Sequence, residues 1–315
     1  MEFDSRKQHT IAREIRCSGV GLHSGTRVSM NLKPAPPDHG IRFRRMDVCN
    51  QPVVAAHYHK VIGTCFATSI GLDGVVISTV EHLMAAFLGS GADNVLVEVD
   101  GPEVPIYDGS AAPYVELLAE VGMKEQNAPR QWFKIQRPFQ VREGDAYVRG
   151  TPSDRFGVRY WIDFPHPMVG KQEYSWTFNQ VTFAREIARA RTFGFLKDVQ
   201  KLQDMGLARG GSLANAVVFD DTGLLNREGF RYANECVRHK ILDFVGDLAL
   251  AGVPLLGYFE VHKAGHALHS RFLKQVMTAP GLCKPARPVQ ARKPFFPSAA
   301  FPNLPRAYPQ TAKSL

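Results

Sequence analysis

Short stretches of alternating hydrophobic and polar residues recur along the chain, and this period of two is typical of strands with one buried face. Val28, Met30 and Leu32 alternate with polar residues, and the same pattern returns from Val95 to Val99. In the second half, strands are predicted at Trp132 to Val141, Val158 to Phe164 and Leu256 to Val261.

Apolar residues three and four positions apart predict helices between these strands. Val80, Leu83, Met84 and Phe87 form one buried face of a helix that begins near Ser78 and stops near Gly89 to Gly91. Further helices are predicted after Ser110, which caps a helix with Tyr114, Leu117, Leu118 and Val121, and at Phe183 to Arg189, Ala233 to Ala251 and Ala267 to Met277. Because strands and helices do not alternate regularly, we expect an α+β fold rather than a doubly wound parallel sheet.

The stretch from Gly19 to Gly25 superficially matches the GxGxxG pattern of dinucleotide-binding proteins. That pattern requires a helix directly after it. The residues that follow instead form the alternating strand around Met30, so we predict a hairpin turn at this position.

The sequence divides the chain into three parts. The region from Asn127 to Arg130 lies between the last helix of the first half and the first strand of the second, so we expect one domain at residues 1–129 and a second at 130–280. Residues 281–315 contain seven of the 21 prolines, six basic residues and no acidic one, and we expect a poorly ordered tail. This tail is either solvated without a partner or weakly attracted to anionic phospholipid headgroups.

The formal net charge of +8 is located mainly in this tail, which leaves +2 for residues 1–280, so we expect no nucleic-acid partner. No apolar run of about 18 residues could span a bilayer, and the polar start lacks a secretory signal. Five scattered cysteines without a CxxC pair indicate reduced thiols. We expect a soluble, cytoplasmic protein and a monomer.

The long predicted helix carries a possible metal site. His239, Asp243 and Asp247 follow one another at intervals of four residues, opposite the apolar stripe. Two such side chains one turn apart can chelate one ion. An ordinary surface helix shows the same polar stripe, so this helix alone does not establish a site.

Glu81 and His82 on the first helix could add a base and a third ligand. Alternatively, Ser78 to Glu81 fits a capping box, in which Glu81 only bonds the backbone at the helix start. A histidine such as His82, taken alone, is more often a surface or core residue with its hydrogen bonds satisfied than a metal ligand. Three ligands and an open position are what a catalytic zinc needs, and nitrogen and carboxylate ligands would also accept ferrous iron.

Six stretches of the chain together resemble one known family. They are Ile77-Ser-Thr-Val-Glu-His82, Asp108-Gly-Ser-Ala-Ala-Pro113, Ala190-Arg-Thr-Phe-Gly-Phe195, Gly210-Gly-Ser212, His239-Lys-Ile-Leu-Asp-Phe-Val-Gly-Asp247 and Gly265-His-Ala-Leu268. From about Thr10 to Met277, the chain resembles the UDP-3-O-acyl-N-acetylglucosamine deacetylases, known as LpxC, of bacterial lipid A synthesis. HKxxDxxGD combined with a distant TVEH is far more specific than either motif alone.

The resemblance implies two similar domains, each a small sheet layered on a pair of helices, with zinc bound between the helical layers. It implies that His82, His239 and Asp243 are the zinc ligands. Glu81 is then the general base that activates the attacking water, and any capping function is secondary.

The resemblance also implies roles for residues around the metal. Thr192 would stabilise the negative charge that develops on the carbonyl oxygen. His266, kept cationic by Asp247, would protonate the departing amine. Substrate contacts are implied for Lys240, Lys263 and Phe193, and acyl-chain binding for the insert from Thr192 to Val217. From the sequence pattern alone, His266 would be a histidine at a helix start and the two lysines solvated surface residues. The insert would be ordinary core packing.

The implied reaction is zinc-dependent hydrolysis of the 2-acetamido group of UDP-3-O-(3-hydroxyacyl)-N-acetylglucosamine. It gives UDP-3-O-(3-hydroxyacyl)-glucosamine and acetate, the committed step of lipid A biosynthesis. The alternative is a catalytically idle homologue that binds UDP-sugars or acyl ligands and uses its metal structurally. The presence of Glu81, Asp247 and His266 beside the metal residues favours the enzyme.

Overall fold

The computed structural model describes residues 6–286 of the 315-residue chain and has the expected α+β fold. The first elements are β1 (Lys7–Ile11), β2 (Ile15–Val20), β3 (Arg27–Pro34), β4 (Ile41–Arg45), β5 (Val53–Ala55), β6 (Val61–Gly63), β7 (Ser69–Leu72), β8 (Val75–Ile77), α1 (Glu81–Ser90), β9 (Val95–Val99), α2 (Ala112–Val121) and β10 (Met123–Pro129). They are followed by β11 (Trp132–Ile135), β12 (Phe139–Glu143), β13 (Ala146–Thr151), β14 (Phe156–Phe164), β15 (Gly170–Thr177), α3 (Gln180–Thr182) with a π-helical turn at Phe183–Ile187, β16 (Phe193–Phe195), α4 (Leu196–Asp204), β17 (Val217–Phe219), α5 (Glu235–Ala249), β18 (Leu255–His262), α6 (His266–Thr278) and β19 (Cys283–Ala286).

The main sheet before residue 130 has five strands in the order β2-β3-β9-β4-β5. β2 and β3 form an antiparallel hairpin with Cys17 opposite Met30. The predicted hairpin turn is therefore confirmed. Burial alternates along β3, which places Val28, Met30 and Leu32 in the core.

The main sheet after residue 130 is built around β18, which pairs with β11, β13 and β14. At its edge, β19 runs antiparallel to β11. The sheet therefore includes the start of the segment that we expected to be a poorly ordered tail. Leu282 is buried and anchors this strand, while Pro285 is tolerated because β19 is an edge strand. Residues 287–315 lie outside the described residues.

Every strand pair in residues 6–286 joins two strands on the same side of the passage from β10 to β11. Each side therefore builds its own sheets. We propose that this passage separates two domains at residues 129 and 130, as the sequence predicted.

Helices from the two halves of the chain meet at the centre of the molecule. α1 packs against α5, with α2 beside α1 and α6 beside α5. α5 also packs against β14 and β15, and α6 against β12 and β13. Within residues 6–286, every helix is too short or too polar to cross a lipid bilayer.

The α1–α5 contact explains why the polar stripe on α5 is not a surface feature. His239, Asp243 and Asp247 are each 2% exposed, because α1 covers the face that they occupy. The surface-helix alternative for this stripe is wrong. Buried polar groups of this kind need partners, and the two helices provide them for each other.

Candidate active site

The three residues expected to bind metal converge between α1 and α5. Oδ1 of Asp243 lies 3.5 Å from Nε2 of His82 and 3.3 Å from Nε2 of His239. All three ligand atoms lie within 4.8 Å of one another. Tetrahedral zinc with bonds of about 2.0–2.1 Å separates its ligands by roughly 3.3–3.4 Å. The residues therefore fit a divalent cation of this size.

Hydrogen bonds around these side chains leave the ligand atoms available. Nδ1 of His239 donates to the backbone oxygen of Ala190 at 3.0 Å. Burial lowers the pKa of His239 to about 3, so its ring is neutral, with the lone pair on Nε2. Oδ2 of Asp243 accepts from Nζ of Lys240 at 2.7 Å, which leaves Oδ1 facing the two imidazoles. Nitrogen and oxygen ligands without sulfur are thus presented together.

Glu81, the first residue of α1, is hydrogen bonded to the segment just before β7 and not to Ser78, the partner in the capping-box alternative. Its Oε2 accepts the backbone N–H of Thr68 at 3.0 Å. Ser78 pairs its hydroxyl with Ser69, and the N-cap residue is Val80. The capping-box alternative is therefore wrong. Burial raises the pKa of Glu81, against the opposing influence of the nearby histidines, which makes its carboxylate a better proton acceptor.

His266 and Asp247 form a buried pair on α6 and α5. Nδ1 of His266 lies 2.8 Å from Oδ2 of Asp247. Burial disfavours the charged ring, but the Asp247 carboxylate raises the pKa of His266 to about 9. Burial likewise disfavours the carboxylate, but His266 lowers the pKa of Asp247 to about 2. At neutral pH the pair is therefore an imidazolium and a carboxylate.

The sequence analysis missed Thr68, which lies between Glu81 and this pair. Its hydroxyl donates to Oδ1 of Asp247 at 2.5 Å and lies 3.2 Å from Nδ1 of His266. Its backbone N–H holds Glu81, and the residue is 1% exposed. A single threonine before a short strand has no distinguishing spacing, so the sequence offered no signal for it.

His23, in the turn between β2 and β3, was also missed. Its Nδ1 accepts the backbone N–H of Ala208 at 3.3 Å, so the ring proton is on Nε2, which is buried without a partner among the described residues. Glu103 holds this turn by accepting the N–H groups of His23 and Ser24 at 2.9 and 2.7 Å. Here a signal existed, because the glycine-rich stretch contains a histidine, but we interpreted it only as a turn.

A cavity of about 450 Å³ brings the predicted residues together. Its lining includes Glu81, His82, Thr192, Phe193, His239, Lys240, Asp243, Lys263 and His266, together with His23. Asp247 does not line the cavity and lies behind His266, to which it is hydrogen bonded.

Thr192 and Phe193 enter the cavity from a segment that is firmly anchored. The backbone N–H of Thr192 donates to the oxygen of Gly109 at 2.7 Å, and Val217 donates to the oxygen of Thr192 at 2.8 Å. The buried Arg191 just before it pairs with Glu235 at the start of α5, at 2.8 Å. The Phe193 ring lies 6.3 Å from the His239 ring and heads an aromatic cluster with Phe164, Phe195 and Phe219. An apolar surface therefore adjoins the metal ligands.

Neither predicted substrate lysine is freely solvated. Lys240 is bound to Asp243, with its ammonium 5.9 Å from the centre of the Phe193 ring. Nζ of Lys263 lies 3.0 Å from a carboxylate oxygen of Asp145 and 3.0 Å from one of Asp163. Both lysines line the cavity, and the solvated-lysine alternative is wrong for Lys240, which is bound to the buried Asp243. Lys263 is partly exposed, so its substrate contact stays a prediction.

Comparison with known proteins identifies relatives over most of the chain. The model of the LpxC family, described as UDP-3-O-acyl N-acetylglycosamine deacetylase, matches residues 8–278. A UDP-3-O-acyl-N-acetylglucosamine deacetylase of Myxococcus xanthus is 47% identical over 293 residues, which are 93% of this chain and 93% of the relative. Proteins of the same name from Acidithiobacillus ferrooxidans and Methylococcus capsulatus are each 47% identical, over 86% and 87% of this chain and 90% of each relative. The chain belongs to the UDP-3-O-acyl-N-acetylglucosamine deacetylase family.

Proposed function

We propose that the protein hydrolyses the 2-acetamido group of UDP-3-O-(3-hydroxyacyl)-N-acetylglucosamine and releases acetate, as the committed step of lipid A biosynthesis. The names of its relatives describe removal of the acetyl group from this class of nucleotide sugar. The observation that supports the proposal most is the spacing of 3.3 and 3.5 Å between Asp243 and the two imidazoles, beside a buried carboxylate and a buried imidazolium.

We propose zinc as the metal held by His82, His239 and Asp243, and the same donors would accept ferrous iron. A metal held by these residues would supply Lewis acidity for the attacking water and the amide carbonyl. The remaining proton transfers fall to the side chains of the protein.

Glu81 is the group that we assign as general base. Thr68 fixes Oε2 through its backbone N–H, and Glu81 lines the cavity in which the amide would lie. A carboxylate with a raised pKa accepts the proton of the attacking water more readily than an exposed one. The attack forms a bond from the water oxygen to the acetyl carbon.

His266 is the group that we assign as general acid. An amine leaves an amide carbon readily only when its nitrogen is protonated as the C–N bond breaks. With a pKa of about 9, His266 is protonated at neutral pH and can donate that proton. The products are then the free amine of the sugar and acetate.

The other residues of the cavity suit the rest of the substrate. We assign Thr192 to the developing negative charge of the carbonyl oxygen and Lys263 to the diphosphate. Lys240 adds positive charge near the sugar. The aromatic cluster headed by Phe193 offers apolar surface for the acyl chain. The cytoplasmic location and the monomeric state stay predictions, as does membrane contact through a tail that lies mostly outside the described residues.

The test combines metal analysis with acetate release from UDP-3-O-acyl-N-acetylglucosamines of different acyl length. We expect about one metal ion per chain, acetate release that a chelator abolishes, and recovery when zinc is restored. His82→Ala should lose metal and activity together, whereas the matched surface variant His59→Ala should keep both. Tight substrate binding by the zinc-loaded protein without any acetate release would contradict the proposal and support the idle binding protein.

A further inference from the structure

The carboxylate of Asp247 accepts three hydrogen bonds. Those from Thr68 and His266 have been described above, and the third has no part in the proposed mechanism. Oδ1 accepts the Thr68 hydroxyl at 2.5 Å, and Oδ2 accepts Nδ1 of His266 at 2.8 Å. The third donor is His269, whose Nδ1 also lies 2.8 Å from Oδ2. His269 follows His266 by three positions on α6, so both rings leave the same face of the helix.

The proton that His269 presents to Asp247 is determined by its surroundings. His269 is fully buried, and burial lowers its pKa against the opposing effect of Asp247, so the ring is neutral with one proton. A carboxylate cannot donate, so this proton is on Nδ1. Nε2 is then an acceptor, and it faces the Tyr160 hydroxyl at 3.1 Å.

Tyr160 connects this arrangement to the sheet. It is fully buried on β14, and its hydroxyl also lies 2.7 Å from the backbone oxygen of Ala264, in the turn before α6. The hydroxyl donates its single proton to this carbonyl oxygen, so the proton on Nδ1 of His269 follows from the Asp247 carboxylate and not from Tyr160. Tyr160, His269, Asp247 and His266 therefore form a continuous chain of contacts in this order.

We propose that His269 is a positioning residue for the reaction: its Nδ1–H fixes the Asp247 carboxylate so that Oδ2 stays aligned with His266. This inference rests on the proposed function of the same site. Without the third donor, the buried carboxylate keeps only the hydrogen bonds of Thr68 and His266, and it can turn away from His266. His269 does not line the cavity, and it is grouped with Asp247 and His266 rather than with His82, His239 and Asp243.

Two amide substitutions separate the two contacts of His269. In His269→Asn, the amide nitrogen can occupy the place of Nδ1 and donate to Asp247, but the Tyr160 contact is lost. In His269→Gln, the amide lies near the place of Nε2, so the Tyr160 contact is kept and the Asp247 contact is lost. His269→Leu removes both, and Lys274→Ala, at an exposed position of α6, is the control.

Steady-state acetate release is measured for these zinc-loaded proteins at matched metal content. We expect His269→Gln and His269→Leu to lower kcat by about 10- to 100-fold, as is typical when an outer-shell partner is lost, with KM little changed. His269→Asn should stay within about threefold of the wild type, on the expectation that one neutral donor replaces another. Asn no better than Gln in kcat would overturn the inference, and this comparison holds even if the Leu variant fails to fold.

A second measurement is independent of turnover. The Nδ1–H signal of His266 in nuclear magnetic resonance spectra, assigned by its loss in His266→Ala, reports its hydrogen bond to Asp247. It should persist in His269→Asn and shift or broaden in His269→Gln, even in a protein that releases no acetate. An unchanged signal in the Gln variant would refute the positioning role, whereas wild-type protein without acetate release would refute the proposed function alone.

Discussion

Glu81 is adjacent along the chain to His82, which we propose as a metal ligand, yet the two side chains have different contacts. Oε2 of Glu81 is bound to the Thr68 backbone rather than directed at the ligand set, which consists of His82, His239 and Asp243. Metal binding and proton transfer at this site should therefore be separable by mutation.

We predict that Glu81→Gln lowers kcat by about 10²- to 10⁴-fold while the metal content stays at the wild-type value. The amide oxygen of glutamine can still accept the Thr68 N–H, so the local structure is retained and only the base is lost. Elemental analysis and acetate release on the same sample measure both quantities. Glu120→Gln, at an exposed position of α2, is the control, and a fully active Glu81→Gln variant would exclude the assignment.

At the scale of single residues, the sequence predicted groups whose spacing is unusual. His239 and Asp243 are one helical turn apart, and Glu81 and His82 are neighbours, so both pairs could be recognised as chemical units. Their convergence followed from the family resemblance rather than from spacing. Residues such as Thr68 and His269 act through tertiary contacts, with partners up to 198 positions away for Thr68, and no local pattern marks them.

At the scale of elements, the distance between α1 and α5 determines the geometry of the site, because each helix carries part of the ligand set. Gly246 on α5 lies against the backbone of Glu81, and an added Cβ would lie only 2.0 Å from its backbone oxygen. Glycine is required here for the close approach of the two helices.

We predict that Gly246→Ala forces α1 and α5 apart, with a loss of about 1–3 kcal/mol in the free energy of unfolding and weaker metal binding. Chemical denaturation and metal titration measure the two effects. Gly223→Ala is the matched control, because a Cβ there would meet its nearest neighbour, Asp220, at an ordinary 3.7 Å. Equal metal affinity in the two variants would show that the helix separation does not control the site.

The periodicity of the sequence predicted the bounds of the long elements better than it predicted which elements pack against them. α5, α6 and β14 were expected close to their observed bounds, because long apolar stripes and alternations are local properties of the chain. The burial of α1 on all sides was not predicted, since it depends on α5 from the other half. β19 was missed because its prolines and basic residues resemble a tail, and its strand forms only beside β11.

At the scale of the whole molecule, the buried charges join the two halves of the chain. Thr68 from the first half contacts Asp247 and His266 from the second. Neither half alone contains a complete site. The fold class was predictable from the sequence, but this shared interior was not, because it depends on how the two sets of layers meet.

We predict a pH-dependent contribution of the His266–Asp247 pair to stability. The pKa of His266 is raised to about 9, so its contribution is full below about pH 6.5 and is lost as the pH rises through 9. The pKa of Asp247 is lowered to about 2, so its contribution is full above about pH 4 and is lost as the pH falls through 2. The pair should therefore stabilise the protein most between about pH 4 and 6.5.

Denaturation of chelator-treated wild type and Asp247→Asn across this range measures the effect. The difference in their free energies of unfolding should be on the order of 2 kcal/mol between pH 4 and 6.5 and should shrink on both sides. A difference that does not vary with pH would show that the pair is not ionised in the folded protein.

The hydrogen bonds on both oxygens of Asp247 limit the routes by which His266, the proposed acid, can regain a proton. Its oxygens are occupied by Thr68, His266 and His269, and it is 2% exposed, so bulk solvent has no access from behind. Nε2 of His266 lies on the cavity side, 4.0 Å from Asp243. In the proposed mechanism, the proton that replaces the one donated by His266 therefore enters from the cavity side. A substrate that fills the cavity would then separate this imidazole from solvent, and we expect His266 to regain its proton only after the product has left.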